Sequence, residues 1–160
     1  MTDYDKIEIA KGVILELLEK CGVTAHVEFE ESITKGLIFN ISSPDSYLLI
    51  GRQGATLHAL HLLAQALAFK RLTRQSVGGE PFWFTLDVDD YKRKREWFLK
   101  ETAKAAVEKA KLTGRAQALE PMPNYERRLV HAYLQEHCPE AESFSMGSEP
   151  YRKVVIKIKR

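Results

Sequence analysis

Hydrophobic and polar residues follow each other along the chain in two patterns, one typical of helices and one typical of strands. Residues 6–20 repeat hydrophobic positions at spacings of three and four and end before Gly22, which predicts a helix. Residues 25–31 alternate hydrophobic and polar positions and predict a half-buried strand, with residues 36–42 as its antiparallel neighbour after a turn at 34–36. Residues 47–50 form a brief hydrophobic turn that leads to two glycines.

The same patterns continue to the end of the chain. Residues 56–73 predict a helix, and the alternation over residues 82–88 predicts a third strand. The remaining predicted elements are a helix over 91–111 capped by Asp89 or Asp90, a strand over 116–119, a helix over 124–137 capped by Asn124, and strands over 142–145 and 152–158. This order predicts an α+β fold of two small α/β units, residues 1–88 and 89–160, with residues 76–81 as a loop inside the first unit.

Composition narrows the class of protein. Of the 160 residues, 44% are hydrophobic and 29% are charged, as in soluble folded proteins. The two cysteines, Cys21 and Cys138, have the spacing of neither a disulfide framework nor a zinc site, which favours a reducing compartment. The longest hydrophobic stretch, residues 57–69, is too short and too polar to span a bilayer. The first residues are acidic and no hydrophobic segment follows them, so a secretory signal is not expected. We therefore expect a cytoplasmic protein without membrane insertion, metal ion or cofactor.

The net charge of +2 hides an asymmetry between the two parts of the chain. Residues 1–50 carry 4 basic and 9 acidic side chains, a net charge of −5, whereas residues 51–160 carry 20 basic and 13 acidic side chains, a net charge of +7. The basic excess begins at the two glycines. This distribution suggests that the second part of the chain meets an anionic partner.

The sequence Gly-Arg-Gln-Gly at 51–54 lies between the hydrophobic turn and a predicted helix. Residues without Cβ let the main chain turn sharply, and the first N–H groups of the following helix are expected to face outward, unpaired. Such a place suits phosphate, and Arg52 and Gln53 add a positive charge and a neutral donor. Nucleotide hydrolysis is not indicated, because Ala55 and Thr56 stand where that kind of phosphate loop has Lys followed by Ser or Thr. A tight turn without a ligand is the alternative.

A second candidate site lies in the predicted helix over 124–137. Arg127 and His131 are four residues apart and therefore project from one helix face. The guanidinium of Arg127 suits phosphate, and His131 can donate a hydrogen bond or stack on a base. A surface pair without a role is the alternative. Because neighbouring strand residues point to opposite faces, Arg152 rather than Lys153 is expected to share a surface with Arg127.

The order of elements in the first unit is similar to that of a type II KH domain, whose Gly-x-x-Gly loop clamps the backbone of about four nucleotides. The whole chain resembles the bacterial Jag family, also called KhpB or SpoIIIJ-associated protein. The segments that carry the resemblance are Leu-Ile-Gly-Arg-Gln-Gly at 49–54, Thr-Leu-Asp-Val at 85–88, Thr-Gly-Arg at 113–115, Leu-Glu-Pro-Met at 119–122, Glu-Arg-Arg at 126–128 with His131, and Glu-Pro-Tyr-Arg at 149–152.

The resemblance implies a type II KH domain over residues 1–88 and an Arg-x-x-x-His domain over residues 89–160. Both would bind single-stranded RNA, with single-stranded DNA left open, in a cytoplasmic post-transcriptional regulator linked to cell elongation, division or sporulation. A small single-KH-domain protein is the implied partner. The expected RNA-binding residues are Gly51, Arg52, Gln53, Gly54, Ala55, Thr56, Arg127, Arg128, His131 and Arg152. Roles that the family assigns to an additional N-terminal domain are not carried over.

Catalysis is not indicated by any arrangement of nucleophile and base or of paired carboxylates. His131 and His137 are six residues apart, which puts them on different helix faces and argues against a metal site with Cys138. We therefore expect no enzyme. The alternative function is that of a protein-interaction adaptor with weak or vestigial nucleic-acid binding. The third hypothesis is a metal-dependent or nucleotide-dependent enzyme.

The aromatic residues are divided between the core and the surface by their positions in the patterns. Phe82, Phe84, Trp97 and Phe98 lie in strand or helix stripes, where core packing is the usual explanation. Trp83 alternates away from its two neighbours and is expected to be exposed.

Two further groups are interpreted as helix surface. His58 and His61, after the paired glycines, are expected to be surface histidines of a helix. The basic run at 92–95 passes through a helix start, so its members point in different directions and cannot all contact one strand of nucleic acid. A solvated charged face explains that run as well as a role in binding does.

Overall fold

The structure, a computed structural model, describes residues 2–32, 36–75 and 82–159. The predicted turn at 34–36 and the predicted loop at 76–81 lie, in part or entirely, outside the described residues. The α+β fold is confirmed, and the chain separates into two compact units, Met1–Lys92 and Arg93–Arg160. The division comes after the predicted boundary at Val88, because Tyr91 still packs against the core of the first unit.

The described part of the first unit contains helices α1 (Asp3–Lys20), α2 (Ser46–Ile50) and α3 (Ala55–Gln75) and strands β1 (His26–Ser32), β2 (Gly36–Ser42) and β3 (Thr85–Val88). The strands form one sheet in the order β1-β2-β3, in which β1 is antiparallel and β3 is parallel to β2. Val27 lies opposite Ile41, and Ile41 lies opposite Val88, so that buried side chains line up across the sheet.

The core of the first unit explains why these segments fold as they do. A capping box starts α1: the hydroxyl of Thr2 accepts a hydrogen bond from the Asp5 N–H, and the Asp5 carboxylate accepts one from the Thr2 N–H. The buried hydrophobic residues of the helices and the sheet include Ala10, Val13, Ile14, Leu18, Phe39, Ile41, Leu57, Ala64, Leu86 and Val88. Burial of each large side chain contributes roughly 1.5–3 kcal/mol, which makes this core the main source of stability.

Two local predictions for the first unit are wrong. The residues predicted as a hydrophobic turn form α2, because one helical turn places Leu49 in the core. The strand predicted over 82–88 begins only at Thr85, where pairing with β2 starts. Before that point, the carbonyl of Phe84 accepts a hydrogen bond of 2.7 Å from Nε2 of Gln65 on α3.

The second unit contains helices α4 (Tyr91–Thr113, whose first two residues belong to the first unit) and α5 (Asn124–His137) and strands β4 (Gln117–Ala118), β5 (Ala141–Met146) and β6 (Lys153–Ile158). The sheet order is β4-β6-β5, and both pairings are antiparallel. Its core consists of Leu99, Ala103, Ala106, Val107, Leu119, Met122, Val130, Leu134, Cys138, Ala141, Val154 and Ile156.

No helix in the part of the chain described by the structure has the length and apolar character needed to cross a membrane.

The predicted cap of α5 is wrong, whereas the prediction that Asp89 or Asp90 caps α4 stays a prediction. Asn124 is the first residue of α5, and Pro123 takes the N-cap position without a side-chain hydrogen bond. At the start of α4, Oδ1 of Asp87 accepts a hydrogen bond of 3.3 Å from a backbone N–H of the first turn. Asp89 and Asp90, just before α4, have positive φ angles of 47° and 56°, a conformation that Asp tolerates better than most residues.

Candidate nucleic-acid interface

The glycine loop, residues 51–54, joins α2 to α3 by a sharp bend. The φ angle is positive at Gly51 (68°), Gln53 (52°) and Gly54 (78°). Residues Arg52–Gly54 form a single 3₁₀ turn that leads into α3. At Gln53 the left-handed conformation costs on the order of 1–2 kcal/mol, because its Cβ is crowded there. The bend leaves the side chain of Arg52 exposed.

Both glycines of the loop are required by contacts within the chain. A Cβ on Gly51 would collide with the side chain of Thr56, and a Cβ on Gly54 would lie 2.7 Å from Cε1 of Tyr91. Close packing of the loop against α3 and against Tyr91 therefore explains the glycines without any ligand. The prediction that their small size serves the approach of a nucleic acid stays a prediction.

The backbone N–H groups at the start of α3 are not all unpaired, contrary to the prediction. The Gly54 N–H donates to the Gly51 carbonyl at 3.4 Å, and the Ala55 N–H donates to the Arg52 carbonyl. The 3₁₀ turn ahead of the helix uses these donors, as such turns commonly do at helix ends. An anion at the loop would therefore rely more on the guanidinium of Arg52 than on these two amides.

Arg127 is not the exposed fork of donors that the helix spacing predicted. Only 5% of this residue is exposed, because it faces inward from α5. Its Nη1 donates to the carbonyl of Met122 at 2.7 Å, and its Nη2 lies 2.7 Å from Oε1 of Glu149. Arg127 thus connects α5 to the segment before it and to the turn between β5 and β6.

His131 is half-buried, and both of its ring nitrogens have partners. Nδ1 lies 2.7 Å from Oγ of Ser143, and Nε2 lies 2.9 Å from Oγ of Ser145. Burial lowers the pKa of His131 below its ordinary value of 6.5, and the positive charge of Arg127 lowers it further. The prediction of a free donor or stacking ring is not supported. The two serines are one strand period apart, which places both on the face of β5 that meets the histidine.

The other two predicted arginines differ in their surroundings. Arg128 is exposed on α5. Arg152 is partly buried, and its Nη1 donates to the carbonyl of Gly147 at 3.1 Å. Arg127 and Arg152 therefore both contact the turn between β5 and β6, so the structure brings this predicted pair together through the turn rather than on a shared open face.

Two interactions of the site region were missed by the sequence analysis. The carboxylate of Glu126 is buried and pairs with Arg95, so the basic run at 92–95 is not simply a solvated face. His61 is not a plain surface histidine either, because its Nδ1 accepts a hydrogen bond of 3.2 Å from the Leu86 N–H of β3. Burial lowers the pKa of His61, and the nearby charges of Lys92 and His58 lower it further.

The aromatic residues are only partly where the patterns placed them. Phe84 is buried and Trp83 is 74% exposed, as expected. Trp97 and Phe98 are 65% and 52% exposed, so the expectation that they belong to the core is wrong. The buried stripe of α4 consists of Leu99, Ala103, Ala106, Val107 and Ala110. The guanidinium of Arg95 lies 5.5 Å from the centre of the Phe98 ring.

Metal ligands do not cluster in residues 2–32, 36–75 and 82–159, where no group of three or more His, Cys, Asp or Glu side chains is placed to hold an ion. His137 stacks on Tyr133, and its Nδ1 lies 3.1 Å from the Tyr133 carbonyl. Both cysteines are free thiols, exposed at Cys21 and buried at Cys138.

The structure is that of a two-unit α+β protein whose second unit carries Arg127 and His131 on one helix. The family of the Arg-x-x-x-His domain matches residues 98–157, within the second unit, so the chain contains such a domain. The chain is 33% identical to the RNA-binding protein KhpB of Lactiplantibacillus plantarum over 92% of this chain and 43% of that protein. It is 35% identical to the RNA-binding protein KhpB of Clostridium symbiosum over 86% of this chain and 59% of that protein. With the RNA-binding protein KhpB of Bacillus subtilis it shares 32% identity over 98% of this chain and 72% of that protein. The chain belongs to the KhpB family.

Proposed function

We propose that this chain is a cytoplasmic RNA-binding protein that holds single-stranded RNA at the glycine loop and at the Arg-x-x-x-His helix. The first unit then acts as a type II KH domain and the second as a single-stranded nucleic-acid-binding domain. The observation that carries the proposal is the exposed cation of Arg52 on a sharp bend between two helices. The names of the curated relatives support the choice of RNA as the nucleic acid.

At the glycine loop, the RNA backbone is held mainly by charge. Arg52 neutralises a phosphate, and such contacts are independent of base sequence and weaken as salt concentration rises. Gly51, Gln53, Gly54, Ala55 and Thr56 supply the shape of the bend, against which the sugar-phosphate backbone lies. This arrangement suits an extended single strand better than a duplex, because a single strand can follow a tight bend.

In the second unit, Arg128 supplies an exposed cation on α5, and Arg152 supplies a partly buried one at the turn before β6. His131 contributes by holding β5 against α5 through Ser143 and Ser145. No catalytic step is part of the proposal, and post-transcriptional regulation in cell elongation, division or sporulation is the process that the family resemblance favours.

Charge reversal at the loop tests the proposal. Arg52→Asp should weaken binding of a fluorescent single-stranded RNA of about 15 nucleotides, a length within the range that such surfaces cover. It should also lower the slope of log affinity against log salt concentration by about one, since one phosphate contact is lost. Single-stranded DNA of the same sequence shows whether the sugar matters.

Arg74→Asp is the matched control, because Arg74 is an exposed arginine in the last turn of the same helix, about 30 Å along the helix axis from the loop. Both variants change the net charge equally. Equal losses of RNA affinity in the two variants would remove the glycine loop from the binding site.

A second function, as an interaction adaptor, is favoured by the outer face of α3. Leu62, Leu63, Leu67 and Phe69 are 54%, 49%, 37% and 49% exposed and lie within three turns of helix. Contiguous exposed apolar surface is typical of protein interfaces. We propose that this face binds the small single-KH-domain protein that the family resemblance implies.

The adaptor function is tested by mixing this chain with that partner and measuring the mass of the complex by light scattering. Leu63→Glu should abolish the complex, because it places a charge inside the apolar interface. Leu112→Glu, at a leucine of α4 that is 87% exposed, should leave the complex intact. A complex that survives Leu63→Glu excludes this face of α3 as the interface.

A further inference from the structure

Glu149 lies in the turn between β5 and β6, and its carboxylate contacts the guanidinium of Arg127 at 2.7 Å. The two partners differ in their access to water. The side chain of Arg127 is 6% exposed, whereas that of Glu149 is 59% exposed. The ion pair therefore joins a buried cation to an anion that lies mostly in solvent.

The second contact of Arg127 does not depend on Glu149. Its Nη1 donates to the carbonyl of Met122 at 2.7 Å, which fixes the guanidinium from the other side. Rotation of the Glu149 side chain would uncover Nη2 without releasing this contact. Arg152, which donates to the carbonyl of Gly147, adds a second positive charge to the same turn.

We propose that the carboxylate of Glu149 occupies a phosphate subsite on Arg127, and that a backbone phosphate of single-stranded RNA displaces it. Carboxylate and phosphate oxygens accept hydrogen bonds from a guanidinium in the same geometry, so that either anion can satisfy Nη2. The inference rests on the proposed function, because the incoming phosphate is that of the bound RNA. It also reconciles the inward orientation of Arg127 with a place in the binding surface.

The exchange makes Glu149 a residue that sets RNA affinity. RNA competes with an anion of the same chain, so the apparent affinity equals the intrinsic affinity multiplied by the fraction of molecules in which Arg127 is free. The subsite contacts only a phosphate and therefore adds no preference for base sequence. Its effect applies equally to every single-stranded RNA that reaches the turn.

Three substitutions separate displacement from a simple change in net charge. Glu149→Gln removes the competing anion and should tighten binding of a single-stranded RNA of about 15 nucleotides by about two- to five-fold, the range expected for an ion pair whose carboxylate is mostly exposed. Glu149→Asp keeps the charge but is one methylene too short for the contact, and it should also tighten binding. Glu120→Gln removes an exposed carboxylate of the same unit and should change the affinity less than either.

A second readout follows Glu149 itself in the unsubstituted chain. The ¹³C signal of its carboxyl group should move on saturation with RNA toward the position of a solvated glutamate. An unmoved signal, or a Glu149→Gln variant that binds no more tightly than Glu120→Gln, overturns the inference while RNA binding itself stands. Absence of any RNA binding by the unsubstituted chain overturns both the proposed function and the inference.

Discussion

Arg95 and Glu126 are joined by two hydrogen bonds of 2.9 Å, from Nε to Oε1 and from Nη2 to Oε2. The side chain of Glu126 is 1% exposed and that of Arg95 is 17% exposed. A buried carboxylate requires such a partner, because its transfer from water is otherwise costly. The pair fixes the first turn of α5, and with it Arg127 and His131, against α4.

Removal of Arg95 should destabilise the second unit strongly. Arg95→Met leaves the carboxylate of Glu126 buried without a cation, and we expect a loss of about 3–5 kcal/mol in the free energy of unfolding. Urea denaturation followed by circular dichroism measures this change. Arg95→Met combined with Glu126→Leu should recover much of the loss, because both charges are then absent.

Lys104→Met, at an exposed lysine of α4, is the control for Arg95→Met and should change the free energy of unfolding by less than about 0.5 kcal/mol. If Arg95→Met were no more destabilising than Lys104→Met, the ion pair would have no structural role.

Gly54 should be less tolerant of substitution than a glycine with the same backbone conformation elsewhere. Gly22 has a φ of 70° and open space around its missing Cβ, whereas Gly54 has a φ of 78° and faces Tyr91. Gly22→Ala therefore measures backbone strain alone, about 1 kcal/mol. Gly54→Ala should cost at least about 1 kcal/mol more, because the Tyr91 ring must move. Thermal unfolding of the two variants tests this difference, and equal losses would show that the loop packs more loosely than the structure indicates.

The sequence predicted the helices and strands well, because buried positions recur along the chain with the period of each element. The stripe of α1 and the alternation across β1 and β2 are visible in the order of residues, and the structure buries most of the predicted positions, although Phe29 of β1 is 42% exposed. The departures occur where packing decides locally, as at Leu49, which takes one turn of helix to reach the core.

The candidate site was predicted less completely, because its polar contacts join residues far apart in the chain. Arg127 and Glu149 are 22 residues apart, and Arg95 and Glu126 are 31 residues apart. No spacing along a single helix reveals such pairs. The spacing of Arg127 and His131 predicted a shared face, but it did not indicate that this face turns inward toward the β5–β6 turn and β5.

Acidic conditions should weaken the first unit through His61. Its Nδ1 accepts the Leu86 N–H, which only an unprotonated nitrogen can do, and its pKa in the folded chain is lower than the ordinary 6.5. The unfolded chain therefore binds more protons, so stability rises with pH. The contribution of His61 to the stability of the folded chain is complete above about pH 6.5. It is lost as pH falls through the lowered pKa that His61 has in the folded chain.

His61→Gln provides a side chain whose amide oxygen can accept the same hydrogen bond but does not titrate. We expect this variant to lose less stability than the unsubstituted chain between pH 7 and pH 5, as measured by urea denaturation at each pH. His58→Gln, at an exposed position of the same helix, should keep the original pH dependence. A pH dependence that is unchanged by His61→Gln would assign the titration to other groups.

His131 should affect stability more than RNA binding. His131→Phe removes the contacts with Ser143 and Ser145, and we expect a loss of about 1–2 kcal/mol in the free energy of unfolding. At a temperature where the variant is folded, its RNA affinity should stay within about two-fold of the original, because both ring nitrogens already have partners inside the chain. Anisotropy titrations measure the RNA affinity of both variants, and Arg52→Asp shows how much affinity is lost when a contact with RNA is removed. A loss of affinity in His131→Phe as large as that in Arg52→Asp would mean that the histidine exchanges its serine partners for RNA, and would return it to the binding surface.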